Sequence, residues 1–301
     1  MISEIKKEKE NWILINQEPP EKIKDFLTKY DFDHHIMKEI DSPTPQSKIE
    51  FYRDNIYMIL HFPAYKVSSL NRKQEVDFII SKENTITIQY ENIDAIDKAH
   101  KNLEVNQILT NKQNADFSIF CLIVKNLYKS LNDELLYIES WSDKIAKNIF
   151  GDRQKEMVFE ISKAMRELIM FERVTEPHER ILTFLKDGSR KIINEDFSIE
   201  VESLIVEIQR LRKSIKSEID VLKELRNTNE SMLTSKQNDI MKTLTVITFI
   251  YLPINLVVAI FTMHANGTPI LENPNAFYFI MAICILTLFA MVKISKHKNW
   301  I

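Results

Sequence analysis

The sequence predicts an α+β cytoplasmic domain, then a long α-helical stalk, then two C-terminal transmembrane helices. Three observations predict it. Short apolar runs of strand character fill the N-terminal part, and helical periodicity takes over after them. From Phe197 a helical pattern runs on with no stop signal before Pro253. Two runs without a single charge, residues 243–263 and 273–292, lie near the C-terminus. Each is close to the roughly 20 apolar residues a helix needs to cross the hydrocarbon core.

The elements follow in order. Trp12-Ile13-Leu14-Ile15 reads as a strand, and Pro19-Pro20 opens a helix expected to reach Tyr30. One strand is expected from Phe51 to Phe62, and two more at 76–80 and 85–90, with Asn84 at a hairpin turn between them. Residues 94–108 read as a helix, and so do 116–150, broken by Gly151-Asp152. A helix over 155–185, bent near Pro177, is expected to end at Asp187-Gly188. After Phe197, apolar residues recur at Val201, Leu204, Ile208, Leu211, Ile215, Ile219, Leu222 and Leu225, a heptad with a stutter. A helix over 197–263 is about 100 Å long at 1.5 Å per residue. It cannot bury that stripe alone, so it needs the preceding helix or copies of itself, and oligomerisation is the expectation.

Lys242 precedes the first span, and Lys293, Lys296, His297 and Lys298 follow the second. The stretch between the spans has no Lys or Arg, which puts both termini in the cytoplasm and that loop outside. The first residues contain no apolar h-region, so no signal peptide is expected. The chain divides into an α+β domain (1–115), a helical stalk (116–242), a first span (243–263), an outer loop (264–275), a second span (276–293) and a basic tail (294–301) whose lysines suit the inner leaflet.

The first span carries polar residues in register. At about 100° per residue, Asn238, Met241, Thr245, Thr248, Leu252, Asn255, Ala259 and Thr262 fall within about a third of the circumference. An unpaired amide in hydrocarbon costs several kcal/mol, so Asn255 needs a partner or water. Two readings stay open: a water-filled lumen, or an interhelical hydrogen bond inside a bundle. Pro253 removes the backbone bond that would reach the carbonyl of Phe249, and a kink is expected there.

Composition narrows the function. A net charge of −3 leaves no nucleic-acid footprint, and three glycines in 301 residues disfavour phosphate-binding loops. The two cysteines, Cys121 and Cys284, sit in a helix and in the second span, so no disulfide is expected. Ser, His and Cys form no catalytic constellation, and no enzyme activity is expected. His34-His35 and His178 read as isolated surface histidines.

Asn238-Asp239-Ile240-Met241-Lys242-Thr243-Leu244-Thr245, then Tyr251-Leu252-Pro253, then Phe261, and a second span ending in Lys298-Asn299-Trp300, resemble the CorA family of divalent-cation channels. The upstream order is similar too: the Trp12 strand, the Pro19 helix, Asp41-Ser42-Pro43, the Val76 hairpin and the stalk. The resemblance implies a homopentamer with a cytoplasmic funnel. Its first membrane helices would line the pore through Asn238, Met241, Leu244, Leu252, Asn255 and Ala259. The second would form an outer ring, with Lys293, Lys296 and Lys298 as a basic collar. The family signature Gly-Met-Asn is replaced here by Thr262-Met263-His264, and Met-Pro-Glu-Leu by Thr268-Pro269-Ile270-Leu271, with Glu272 following. Thr262, Met263, His264 and Glu272 are therefore the outer-mouth candidates, and His264 is a transient metal ligand.

The implied activity is transport of Mg²⁺, with Co²⁺ or Ni²⁺, down the membrane potential of the cytoplasmic membrane. The cation is substrate and candidate regulator, no cofactor is permanently bound, and the regulatory ligands are not identifiable from the sequence. Imidazole nitrogen suits zinc better than magnesium. The alternatives are therefore Zn²⁺ or proton-linked transport through His264, or a non-conducting sensor or assembly subunit. The expected partners are copies of the chain, the lipid bilayer and divalent cations, without nucleic acid.

Overall fold

The computed structural model describes residues 2–6, 10–30, 32, 34–40, 44–64, 73–109, 118–151, 153–263 and 275–298. Asp41-Ser42-Pro43, His264, Glu272, Thr268 to Leu271 and Asn299-Trp300 lie outside the described residues. The chain forms two compact units, Met1–Arg226 and Asn227–Ile301.

The first unit is built on a six-stranded sheet of order β1-β2-β6-β5-β4-β3. Its strands are β1 (Ile2–Lys6), β2 (Asn11–Asn16), β3 (Lys48–Phe51), β4 (Asn55–Pro63), β5 (Lys73–Ser81) and β6 (Asn84–Gln89). β2 and β6 pair in parallel and the other neighbours are antiparallel. The run from Phe51 to Phe62 is two strands rather than one. The chain turns at Tyr52, whose N–H reaches the Asn55 carbonyl at 2.9 Å, so Phe51 pairs with Ile56 across a hairpin.

Strand alternation sends side chains to two faces. On one face Ile13, Ile15, Tyr57, Ile59, Ile79, Ile86 and Ile88 pack with Ile23 and Leu27 of α1 (Pro20–Leu27), Ile36 of α2 (His34–Glu39) and Ile40 just after it. The other face bears Trp12, Met58, Leu60, Phe62 and Phe78, all buried, and meets helices. Phe78 stands edge-on to Phe120 of α4 (Ile119–Phe150) at 5.2 Å, and Phe120 meets Phe197 at 5.9 Å. Helix α3 (Asp94–Leu109) precedes α4.

Ser118 caps α4, its hydroxyl accepting from the Cys121 N–H at 3.3 Å. Two distant carboxylates also reach this end: Glu10 accepts from Ile119 N at 2.9 Å and Glu200 from Ser118 N at 2.7 Å. They satisfy donors a helix start leaves open and suit its positive dipole end.

The bend near Pro177 separates two helices, α5 (Gln154–Thr175) and α6 (His178–Ile192). Asp187-Gly188 does not end α6. Ile181, Leu182, Leu185 and Ser189 are buried along its inner face, and that burial outweighs the roughly 1 kcal/mol a glycine costs inside a helix.

His178 is not a surface histidine. It is fully buried at the start of α6. Its Nε2–H donates to the His61 carbonyl at 2.8 Å, and Nδ1 accepts from the Tyr128 hydroxyl at 3.1 Å. Phe62 packs edge-on against its ring at 5.1 Å. Burial holds the imidazole neutral, its pKa pushed down to about 4.

Helix α7 (Glu195–Thr262) runs from the first unit into the second and passes through Pro253. Within the first unit Phe197, Val201, Leu204, Ile208, Leu211, Ile215, Ile219 and Leu222 are buried. The chain covers this stripe itself: Phe197 at its start meets Phe120 of α4, and Arg212 of α7 pairs with Glu179 of α6 at 2.8 Å. The second unit holds the rest of α7 and helix α8 (Ala276–His297). Both helices are long and apolar enough to cross a membrane, and most of their apolar side chains are exposed. An α/β sheet domain, a long helix and two C-terminal apolar helices are thus the architecture, as the sequence predicts.

Candidate functional site

The polar stripe of α7 is one continuous helical feature. From Asn238 to Thr262 it extends about 36 Å at 1.5 Å per residue. Asn238, Met241, Leu244, Thr245, Thr248, Leu252, Asn255, Ala259, Thr262 and Met263 are all exposed in the chain. Asn255 in particular is not covered by α8. That removes an intrachain helix pair as its shelter and leaves water or another copy of the chain.

The threonine hydroxyls are oriented by their own helix. Thr245 Oγ1 donates to the Met241 carbonyl at 2.8 Å, Thr248 to Leu244 at 2.9 Å and Thr262 to Ala259 at 2.9 Å. Each hydroxyl proton is committed to the backbone, so the lone pairs face outward as acceptors. A groove of about 410 Å³ lies along the same stretch, lined by Leu244, Thr245, Thr248, Phe249, Leu252 and Pro253. Neutral oxygen acceptors beside apolar side chains suit a cation that keeps its water: the waters donate, and no fixed charge binds the ion too tightly to leave.

Lys293, Lys296 and Lys298 are exposed at the end of α8 and just past it. They complement the negative end of that helix dipole. His264 and Glu272 lie outside the described residues, so Thr262 and Met263 are the outer-mouth candidates with a described position. Among the described residues no group of three His, Cys, Asp or Glu side chains is placed to hold a metal ion.

One exposed apolar surface escaped the sequence reading. On the face of α7 roughly opposite its buried stripe, Ile199, Val206 and Val221 are exposed to 63%, 41% and 44%, with Ser203 and Ser217 between them. The signal was a second set of small and apolar residues at helical spacing, overshadowed by the stronger heptad stripe.

A model of the family described as CorA-like Mg²⁺ transporter protein matches residues 7–296. The cobalt/magnesium transport protein CorA of Thermotoga maritima is 20% identical over 270 residues, which cover 88% of this chain and 76% of that protein. The complete structure of the CorA magnesium transporter from Methanocaldococcus jannaschii superposes with a TM-score of 0.84 at 19% identity, over 99% of this chain and 94% of that one. The full-length CmaX protein gives a TM-score of 0.74 at 12% identity, over 98% and 90% of the two chains.

Proposed function

The chain belongs to the family of CorA-like Mg²⁺ transporters, and from that premise we propose that it is a homopentameric channel for divalent cations. Mg²⁺ is the principal ion in this reading, with Co²⁺ or Ni²⁺ accepted as well. The first membrane helices line the pore, the second surround them, and both termini face the cytoplasm across the cytoplasmic membrane. The division at 115/116, 242/243, 263/264, 275/276 and 293/294 belongs to the same reading.

The observation that carries it is the stripe of outward acceptors on α7, Thr245, Thr248, Asn255 and Thr262, uncharged throughout and exposed in the single chain. Buried at a fivefold axis, that stripe becomes a water-filled path that accepts hydrogen bonds from a hydrated ion. The exposed seam of Ile199, Val206 and Val221 gives copies of the chain a second surface on which to associate. The Thermotoga maritima relative is a cobalt/magnesium transport protein and the Methanocaldococcus jannaschii structure a magnesium transporter, which supports the choice of ion. Each charge gains about 2.3 kcal/mol per 100 mV on entering, so the potential alone drives uptake. Lys293, Lys296 and Lys298 form a basic collar on the cytoplasmic side, and the cation acts as substrate and as regulator.

A second reading rests on one residue. His264 stands where the family signature has asparagine, and imidazole favours Zn²⁺ or a proton-linked cycle over Mg²⁺. Ion flux into liposomes containing the purified protein separates the two. Mg²⁺, Co²⁺, Ni²⁺ and Zn²⁺ are compared at about pH 6 and about pH 8, with His264→Asn alongside. Mg²⁺ entry by the unmodified protein supports the first reading. Zn²⁺ flux without Mg²⁺ supports the second, and flux gained only on substitution identifies a non-conducting member.

A further inference from the structure

The sheet of the first unit contains an acid that the transport path does not use. Asp77 lies on β5 between β4 and β6 and is fully buried on the face covered by α1 and α2. Two hydroxyls donate to one of its oxygens: Tyr57 and Tyr90 both reach Oδ2 at 2.9 Å. The other oxygen, Oδ1, is buried and has no hydrogen-bond partner among the described residues.

The charged and titratable groups around it are few. On β4 they are Tyr57 and His61. On β5, two residues away on the same face, is Glu75. Just after β6 is Tyr90. From α2, Glu39 is engaged by Lys48 at 2.8 Å, and that lysine lies 5.9 Å from the centre of the Tyr57 ring. The residues that α1, α2 and the turn after α2 direct toward the core are Ile23, Leu27, Ile36 and Ile40. No cation pairs with Asp77 among the described residues.

Glu75 is served very differently. Its carboxylate accepts from Thr44 N and Thr44 Oγ1, each at 2.8 Å; His61 Nε2 lies 3.3 Å away and is 2.9 Å from the Thr44 carbonyl. With these donors Glu75 is the member of the pair equipped to hold a negative charge. A carboxylate at Asp77 would leave Oδ1 as a buried charged acceptor with no donor, the costliest state a buried group can take. A carboxylic acid fits every contact: the carbonyl Oδ2 accepts from both tyrosines, and Oδ1–H is a donor beside the Glu75 carboxylate. Two adjacent carboxyls that cannot both ionise share a proton by the same logic.

We propose that Asp77 is a buried proton-binding site, occupied at neutral pH, whose proton is shared with Glu75 and whose release loosens the α1–α2 layer from the sheet. Burial and the neighbouring Glu75 charge both push its titration well above the carboxylate range, against the opposite pull of the two tyrosines. The contribution of this site to the domain's stability is therefore full below the ordinary carboxylate range, falls as pH rises, and is gone once the proton is released.

The test uses the full-length protein in nanodiscs. Infrared spectra are recorded from about pH 6 to about pH 10, where ordinary carboxyls are ionised. A protonated-carboxyl band is expected at neutral pH in the unmodified protein, fading as pH rises, together with faster amide exchange in α1 and α2. Asp77→Asn removes the band and the pH dependence of exchange. Glu75→Gln keeps the band but moves its loss to lower pH, because the repelling charge is gone. Absence of the band at neutral pH, or its persistence in Asp77→Asn, overturns the proposal. If Asp77→Asn does not fold, the titration of the unmodified protein against Glu75→Gln decides alone: a downward shift supports the pair, and no shift overturns it.

Discussion

The ring of Phe51 occupies the space that a side chain at Gly188 would need. A Cβ built on Gly188 meets Phe51 Cε1 at 2.2 Å and Cζ at 2.5 Å. The last residue of β3 thus lies directly on the backbone of α6, and glycine at 188 is a packing requirement rather than a helix stop. Gly188→Ala should gain about 1 kcal/mol of helix stability and lose a comparable amount when the ring is displaced. In a Phe51→Ala background the clash is gone, so the same substitution should stabilise by about 1 kcal/mol. Thermal melts of the four variants read this coupling directly; equal effects in both backgrounds would sink it.

His178 ties three elements through one neutral imidazole: β4 through the His61 carbonyl, α4 through Tyr128, and α6, which it begins. His178→Phe leaves a buried hydroxyl and a buried carbonyl unpaired and should cost about 2–4 kcal/mol. The pH dependence has a defined sign. The folded value is depressed to about 4, below the unfolded value of about 6.5. Stability on this account is full above about pH 6.5 and falls as pH drops toward about 4, by about 3 kcal/mol in all. Melting temperature against pH should show that slope in the unmodified protein and lose it in the variant.

Asn255→Leu replaces an exposed amide on the α7 stripe by a dewetting side chain. Ion flux per protein should fall about tenfold or more, which is ~1.4 kcal/mol on the barrier, with assembly size unchanged. If Asn255 instead joins helices by hydrogen bonds, the assembly will dissociate in detergent, and native mass spectrometry distinguishes the outcomes. Thr248→Val should act in the same direction but more weakly, since its hydroxyl proton is already committed to the Leu244 carbonyl.

Val206→Asp places a charge on the exposed seam of α7, beside the cleft that α7 forms with α4. As a surface change it should alter the stability of the chain by only about 0.5 kcal/mol, yet it should break self-association. Size measured by light scattering, beside circular dichroism, tests this; an intact oligomer would remove the seam from the interface.

The legible parts were those written in local pattern. Strands β5 and β6, helices α3 and α4 and the two apolar spans follow from periodicity and uncharged length, because burial of one face or immersion in lipid imposes a repeat on the sequence itself. The stripe from Asn238 to Thr262 was legible for the same reason, since a single helix maps spacing onto a face. Strand β1 and helix α2 were not: each is short and mixed in polarity, and pairing with β2 or packing on Ile13 and Ile15 supplies what their own residues lack.

The sequence by itself therefore determined the class of the fold and the two long apolar helices, and it put forward the polar stripe on the first of them. Only the tertiary structure decided that His178 is buried, that Gly188 seats Phe51, that Asp77 lies beside Glu75 without a cation, and which face of α7 the chain keeps for itself. Each of these depends on residues far apart in the chain being brought together, and burial by a distant neighbour leaves no periodic mark in the sequence.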